Sequence, residues 1–237
     1  MLIDLTYRSN EPELMDNPEV NEKDLSVALE DIAKVNKMLG GNAITIDAVL
    51  EIIKKKNISS KEYVIMDLGC GDGEMLRKLA NILKKNDINA RLIGIDNHGK
   101  CLVQARNLSG SNTGIKYYKE DILTLNKGEF SCDIIICTLT LHHFADKDIK
   151  KVISKGLELA SEAVIINDIH RTRLSYYLFK LFSFFFIKGY IAKNDGLVSI
   201  KRGFKRKELL RFAKDLGLKQ HRLDWKWAFR YRWIINQ

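Results

Sequence analysis

The sequence predicts an α/β fold: a doubly wound, mainly parallel seven-stranded sheet of Rossmann-like type, with a C-terminal antiparallel hairpin and an N-terminal helical cap. Three observations predict it. From Tyr63 onward, short apolar runs of strand length alternate with helical patterns, as in a parallel sheet with crossover helices. The first apolar run, VIMDL, exits into GCGDGE, so a buried strand turns through glycines into a helix start. The last stretch, HRLDWKWAFRYRWII, holds two aromatic-rich strand patterns with no room for a crossover helix, and these are expected to pair antiparallel.

The elements follow in order. Pro12 and Pro18 sit in a polar lead segment, expected to be irregular up to about Asn21. DLSVALEDIAKVNKMLGG then has apolar residues at Leu25, Val27, Leu29, Ile32, Val35, Met38 and Leu39 and stops at Gly40 and Gly41, as an amphipathic helix would. A second helix is expected from Ile44 to Lys55. Both precede the strand–helix repeat, so residues 1–60 are read as a helical cap and 61–237 as the main domain, with an aromatic insertion at about 172–192. Strands are expected at 63–67, 91–95, 115–119, 132–138 and 163–168, with helices from near Gly73 and from Arg206 to Leu218.

Composition bounds the function. A chain of 237 residues suits one α/β domain with an appendage, and 46% hydrophobic with 29% charged residues excludes general disorder. Cys70, Cys101, Cys132 and Cys137 form no CxxC pair and read as reduced thiols. MLIDLTYRSN lacks a basic region followed by an apolar run, which favours a cytoplasmic location. The net charge of +9 lies wholly C-terminal: from Lys201 onward there are 12 basic and 3 acidic residues, while residues 1–200 balance at 27 each. The first 31 residues carry nine acids against Arg8 and Lys23. Two oppositely charged segments that attract one another are the expected result, with an anionic substrate or a membrane surface as the sharper reading.

The strand-to-helix turn predicts a ligand site. Gly69, Gly71 and Gly73 follow GxGxG, not the GxGxxG of a dinucleotide site, and Asp67 stands two residues upstream, where a carboxylate suits an ammonium group. The second strand ends at Asp96, where an acid can accept hydrogen bonds from both hydroxyls of a ribose. Asp121 follows the third. This series resembles that of the class I S-adenosylmethionine-dependent methyltransferases, from about Tyr63 to the C-terminus. The resemblance implies S-adenosylmethionine as cofactor and S-adenosylhomocysteine as product. It implies that Asp67, Gly69, Cys70, Gly71 and Gly73 cradle the methionine part, Asp96 the ribose, and Asp121 and Ile122 the adenine, with Asn97 and Thr138 as further cofactor contacts. His98 departs from the small residues common in that loop. An NAD oxidoreductase is disfavoured by the glycine spacing.

The acceptor side is expected at the carboxyl ends of the fourth and fifth strands. CTLTLHHF places His142 and His143 there, and NDIHR places Asp168, His170 and Arg171. The histidines are expected to converge as catalytic residues, with His143 or His170 the foremost candidate for a general base. No metal is expected, because His142, His170 and Asp168 lack a ligand spacing. Relatives that methylate exocyclic amines of bases carry an acid or asparagine, two prolines and an aromatic where this chain has CTLT, so a nucleic-acid substrate is disfavoured. LHHF resembles the small-molecule enzymes of the quinone-biosynthesis type. LSYYLFKLFSFFFI, from Leu174 to Ile187, is too short to span a bilayer. It is read as an aromatic wall in which Tyr176, Tyr177 and Phe179 touch a hydrophobic acceptor, with peripheral membrane contact as a further use. Arg171 is expected to hold an acidic group on that acceptor. The expected reaction is O-methylation of a hydrophobic aromatic or polyketide-like molecule. Carbon or nitrogen methylation, and a cofactor-binding partner of an RNA enzyme, are the alternatives.

Overall fold

The computed structural model describes residues 3–17, 19–56, 61–110 and 114–237, so Pro18 and the expected boundary at residue 60 lie outside the described residues. The strands are β1 (Tyr63–Leu68), β2 (Ala90–Asp96), β3 (Ile115–Lys119), β4 (Cys132–Thr138), β5 (Ala160–Ile169), β6 (His221–Lys226) and β7 (Arg230–Asn236). They form one sheet in the order β3-β2-β1-β4-β5-β7-β6. β1 to β5 run parallel, and β7 inserts antiparallel between β5 and β6. The fold is the expected one.

Alternation along the strands builds two cores. β1 sends Tyr63 and Ile65 to one face, with Ile134 and Ile136 of β4, and Met66 and Leu68 to the other, with Ile135 and Cys137. The first face is covered by α2 (Gly41–Lys56), α3 (Glu74–Lys85) and α4 (Gly99–Ser109); the second by α5 (Asp146–Leu159) and α8 (Arg206–Asp215). α3 shows why such helices lie flat: Met75, Leu76, Leu79 and Leu83 share one buried stripe. All four cysteines are buried and free, in agreement with their reading as reduced thiols.

A third layer stands over the carboxyl ends of the strands. It comprises α1 (Glu22–Met38), α6 (Arg173–Phe186) and α7 (Tyr190–Arg202), packed through Ala28, Val35, Phe179, Phe182 and Ala192. α1 is capped by Asn21, whose side chain accepts from the Asp24 N–H at 2.8 Å. α6 opens on a reciprocal pair, Thr172 and Ser175.

Two expectations change here. The pair of N-terminal helices does not act as one cap: α1 covers the site, whereas α2 buries Ile46, Val49, Ile52 and Ile53 against the sheet. Each fully buried aliphatic chain contributes roughly 1.5–3 kcal/mol, which holds α2 on β4, β5 and β7. α2 also starts at Gly41, not Ile44, because Asn167 of β5 donates to the Gly41 carbonyl at 2.9 Å and to Thr45 Oγ1 at 3.0 Å, tying down its first turn. The lead segment is irregular apart from a short 3-10 turn at Leu14–Asp16.

Candidate active site

The strand ends and the helical layer enclose a cavity of about 950 Å³. Its floor is the turn after β1. Gly69, Gly71 and Gly73 have φ of 76°, 54° and 76°, a region that costs a side-chain-bearing residue dearly. The N–H groups of Gly69 and Cys70 both donate to the Ile95 carbonyl, at 2.8 and 3.0 Å, locking the turn to β2. A Cβ on Gly69 would strike Thr140 and one on Gly73 would strike Tyr117, whereas one on Gly71 would meet only open cavity. Gly71 is thus where backbone faces a ligand.

Three carboxylates surround this turn, and their partners differ. Asp67 is buried and its Oδ1 has no hydrogen-bond partner. Burial, with the charge of Asp96 added, lifts its pKa to about 8. An ammonium group delivered to that oxygen relieves both strains, so the turn fits a ligand that carries one. Asp96 accepts from Gly71 N–H and His98 N–H, each at 2.8 Å and each on a different oxygen, which leaves a lone pair on both. Asp121 accepts from Leu123 N–H at 2.9 Å beside the buried Ile122. Thr138 Oγ1 pairs with Thr45 Oγ1 at 2.9 Å. Asp67, Gly69, Cys70, Gly71, Asp96, Asn97, Asp121, Ile122 and Thr138 all line the cavity. Gly73 does not, and serves the approach of Tyr117. The ring of His98 also lines the cavity, with a buried Nδ1 that has no partner.

Across the cavity, the chain after β4 makes a 3-10 turn at Leu141–His143. Its carbonyls are clamped by two arginines: Arg8 donates to those of His142 and Phe144, at 2.9 and 3.0 Å, and Arg202 to those of His142 and His143. The His142 ring is buried, its Nδ1 2.7 Å from Asp168 Oδ1, while its own N–H donates to Asp168 Oδ2 at 3.1 Å. His143 Nδ1 faces Asp16 Oδ2 at 3.1 Å. Both Nε2 atoms point at Glu13, which comes from the lead segment and accepts from Ser199 Oγ at 2.7 Å. Burial opposes charge on His142, but Asp168 and Glu13 outweigh it and raise the pKa of the ring. Burial likewise opposes charge on Glu13, yet the two nearby rings of His142 and His143 and the Ser199 hydroxyl hold its pKa down at about 2.

Four expected acceptor residues lie elsewhere. His170 borders a separate recess of about 320 Å³, accepts from Trp225 Nε1 at 3.1 Å and packs its ring on Tyr231. Alternation explains it: Ile169 faces the cavity, so its neighbour faces away. Burial and the Arg171 charge lower the His170 pKa. The convergence of three histidines is therefore corrected to two, His142 and His143. Arg171 is buried and structural, bonded to Glu208 at 2.6 and 3.1 Å and to the Leu5 carbonyl at 3.1 Å. Tyr176 and Tyr177 stay outside the cavity. The wall is formed instead by Leu178, Phe179, Phe182, Phe185 and Phe186, at helical spacing, so Phe179 alone of the expected contacts stands in it. Glu13 and Asp16 escaped the sequence reading; the only signal for them was the acidic surplus of the lead segment.

Comparison with known proteins bears on the donor side. A family model described as a methyltransferase domain matches residues 65–160, the stretch from β1 to the start of β5. No curated protein matches the chain. Among solved structures, the plantazolicin methyltransferase BpumL in complex with a pentazolic desmethylPZN analog and SAH is 14% identical, with a TM-score of 0.66 over 92% of this chain and 100% of that one. Magnesium protoporphyrin IX methyltransferase from Synechocystis PCC 6803, with bound SAM, is 18% identical, with a TM-score of 0.53 over 83% and 78%. The methyltransferase domain of bacterial CtHen1 is 15% identical, with a TM-score of 0.58 over 83% and 100%. At these identities the structural likeness is one of fold. The matched segment begins inside β1 and contains all three carboxylates and the glycine turn. Between β1 and the start of β5 the chain thus matches a methyltransferase domain, and its overall fold is the one shared by these methyltransferases.

Proposed function

We propose that this enzyme methylates an oxygen of a hydrophobic small molecule, aromatic or polyketide-like. The observation that carries the reading is the cavity's two-sided lining: phenylalanines of α6 on one side and the buried histidine–carboxylate cluster on the other. When bound, S-adenosylmethionine supplies an electrophilic methyl on sulfur. Asp67 takes its ammonium group, Asp96 its ribose hydroxyls, and Asp121 with Ile122 its adenine. The α6 side chains hold a flat apolar acceptor and exclude water from the line of attack. The acceptor's proton leaves into the cluster of Glu13, His142 and His143, with His142 as the central ring, oriented by Asp168.

Further observations support this. Leu181, Phe184, Phe185 and Phe186 are exposed at the end of α6, an apolar surface at the cavity mouth. Two structural neighbours are named for magnesium protoporphyrin IX and for plantazolicin, in keeping with a small-molecule acceptor. The basic C-terminal segment is largely engaged internally: Arg222 pairs with Glu51 and Asp224, Arg232 with Asp224, and Arg230 is buried against Asn36. That disfavours a nucleic-acid surface. Among the described residues no helix is long and apolar enough to cross a membrane, and a cytoplasmic enzyme is part of the proposal. Incubation with isotopically labelled S-adenosylmethionine and a panel of phenolic polyketides tests it. The expected product carries labelled methyl on oxygen; label on carbon or nitrogen refutes the acceptor atom.

A further inference from the structure

The contacts within the cluster have an unusual length. Glu13 Oε1 stands 3.4 Å from His142 Nε2, and Oε2 stands 3.7 Å from His143 Nε2. Neither separation is a good hydrogen bond. His142 Nε2 is buried and has no hydrogen-bond partner, which is costly for a polar atom at this depth. Yet one donor atom from each of the three residues lies within 4.8 Å of the other two. Ligands held ~2.0–2.1 Å from a zinc-sized ion in tetrahedral array stand ~3.3–3.5 Å from one another. The cluster has the spacing of ligand atoms around an ion.

The far side of each ring agrees. His142 Nδ1 bonds to Asp168 at 2.7 Å and His143 Nδ1 to Asp16 at 3.1 Å. A carboxylate behind each Nδ1 keeps the proton there and leaves the Nε2 lone pair free, the arrangement that supports metal-bound histidine. Glu13, Asp16 and Asp168 bring three carboxylates to two imidazole rings, and a dication balances most of that charge. Arg8 and Arg202 fix the turn through backbone carbonyls, so their charges do not occupy the ligand atoms.

We propose that Glu13, His142 and His143 bind one divalent transition-metal ion of the zinc or manganese class, with its remaining positions open to the cavity. This rests on the reading of the rim as the acceptor site and names the means by which the hydroxyl is activated. Beside the ion a hydroxyl becomes more acidic and its proton leaves to water. The oxygen then forms the bond to the methyl carbon, the carbon–sulfur bond breaks, and its electron pair stays on sulfur. In this form His142 is a ligand and not the base.

The test uses full-length protein stripped with chelator and dialysed. Titration with zinc, manganese and cobalt(II) chlorides is followed by calorimetry, and for cobalt by its visible absorption. One equivalent per chain is expected. Glu13→Gln and His143→Ala should each weaken binding at least 10-fold, and Asp16→Asn about 10–100-fold, with S-adenosylhomocysteine affinity unchanged as the control for folding. Absence of stoichiometric binding for all three metals, or equal affinity in Glu13→Gln, overturns the site. Full methyl-transfer rate in chelated protein overturns the ion's role and returns the proton to His142. Metal bound as expected together with methyl on carbon or nitrogen refutes the oxygen acceptor and leaves the metal site standing.

Discussion

Asp67 is a carboxyl stored in an unfavourable state. Its oxygen has no partner and its pKa stands at about 8, so the cofactor-free enzyme at pH 6 carries it protonated. An arriving ammonium favours the ionised form and expels the proton. Affinity for S-adenosylhomocysteine should therefore rise between pH 6 and pH 8, with proton release that fades above pH 8; calorimetry in buffers of different ionisation enthalpy reads both. Stability of the cofactor-free protein moves the opposite way. A carboxyl whose pKa is raised on folding makes the unfolded state the better acid, so this group lowers the stability of the cofactor-free protein as pH climbs from about 4 to 8. The melting increment given by the cofactor should be larger at pH 8 than at pH 6. Asp67, Asp96 and Asp121 were legible because each ends a strand and local spacing marks it. Glu13 was not, because what makes it a site residue is contact with a turn far along the chain. His170 was misread because adjacency in NDIHR hides the change of face.

At the scale of elements, α6 shows how a helix face is misassigned when its phase is unanchored. The apolar run is interrupted only by Ser175, Lys180 and Ser183 and offers large side chains all round, so periodicity gives no clear side; the packing of α7 and α1 chooses one. Leu178, Phe182 and Phe185 face the cavity, while Tyr177 turns out to accept a hydrogen bond from Ile3 N–H at 3.2 Å. Phe182→Ala should raise the KM for the acceptor about tenfold, the scale of one partly buried aromatic, without altering S-adenosylhomocysteine affinity. Tyr176→Ala should alter neither, and steady-state kinetics with binding titrations distinguish the two. α7 went unread for a related reason. Gly196 in its middle looks like a helix breaker, but a Cβ there would run into the Phe179 ring, so the glycine lets two helices approach. The sheet, by contrast, was legible nearly to the residue, since alternating and buried strands write their own pattern.

At the scale of the molecule, the two charge surpluses resolve into one device. The lead segment crosses α7 as a strap: Lys201 pairs with Glu11, Asp195 accepts from Leu14 and Met15 N–H at 2.8 and 2.9 Å, and Arg8 reaches Asp146 at 2.7 Å. Among the described residues the ion pairing expected from composition is limited to Lys201–Glu11, with Arg222, Arg230 and Arg232 engaged elsewhere, and the strap carries Glu13 and Asp16 into the cavity. Removing residues 3–17 should leave S-adenosylhomocysteine binding within a few-fold of the full chain while abolishing methyl transfer, as a paired calorimetric and product assay would show. The strap also imposes an order in time. Leu14 and Glu11 are synthesised well before their partners, which lie 181 and 191 residues later in the chain. At ~5–20 residues per second the strap waits roughly 10 to 40 s for something to bind. A nascent chain has made β1 to β4 and their glycine turn well before it has made the helix that seats Glu13, so the acceptor half of the site is completed after the cofactor half.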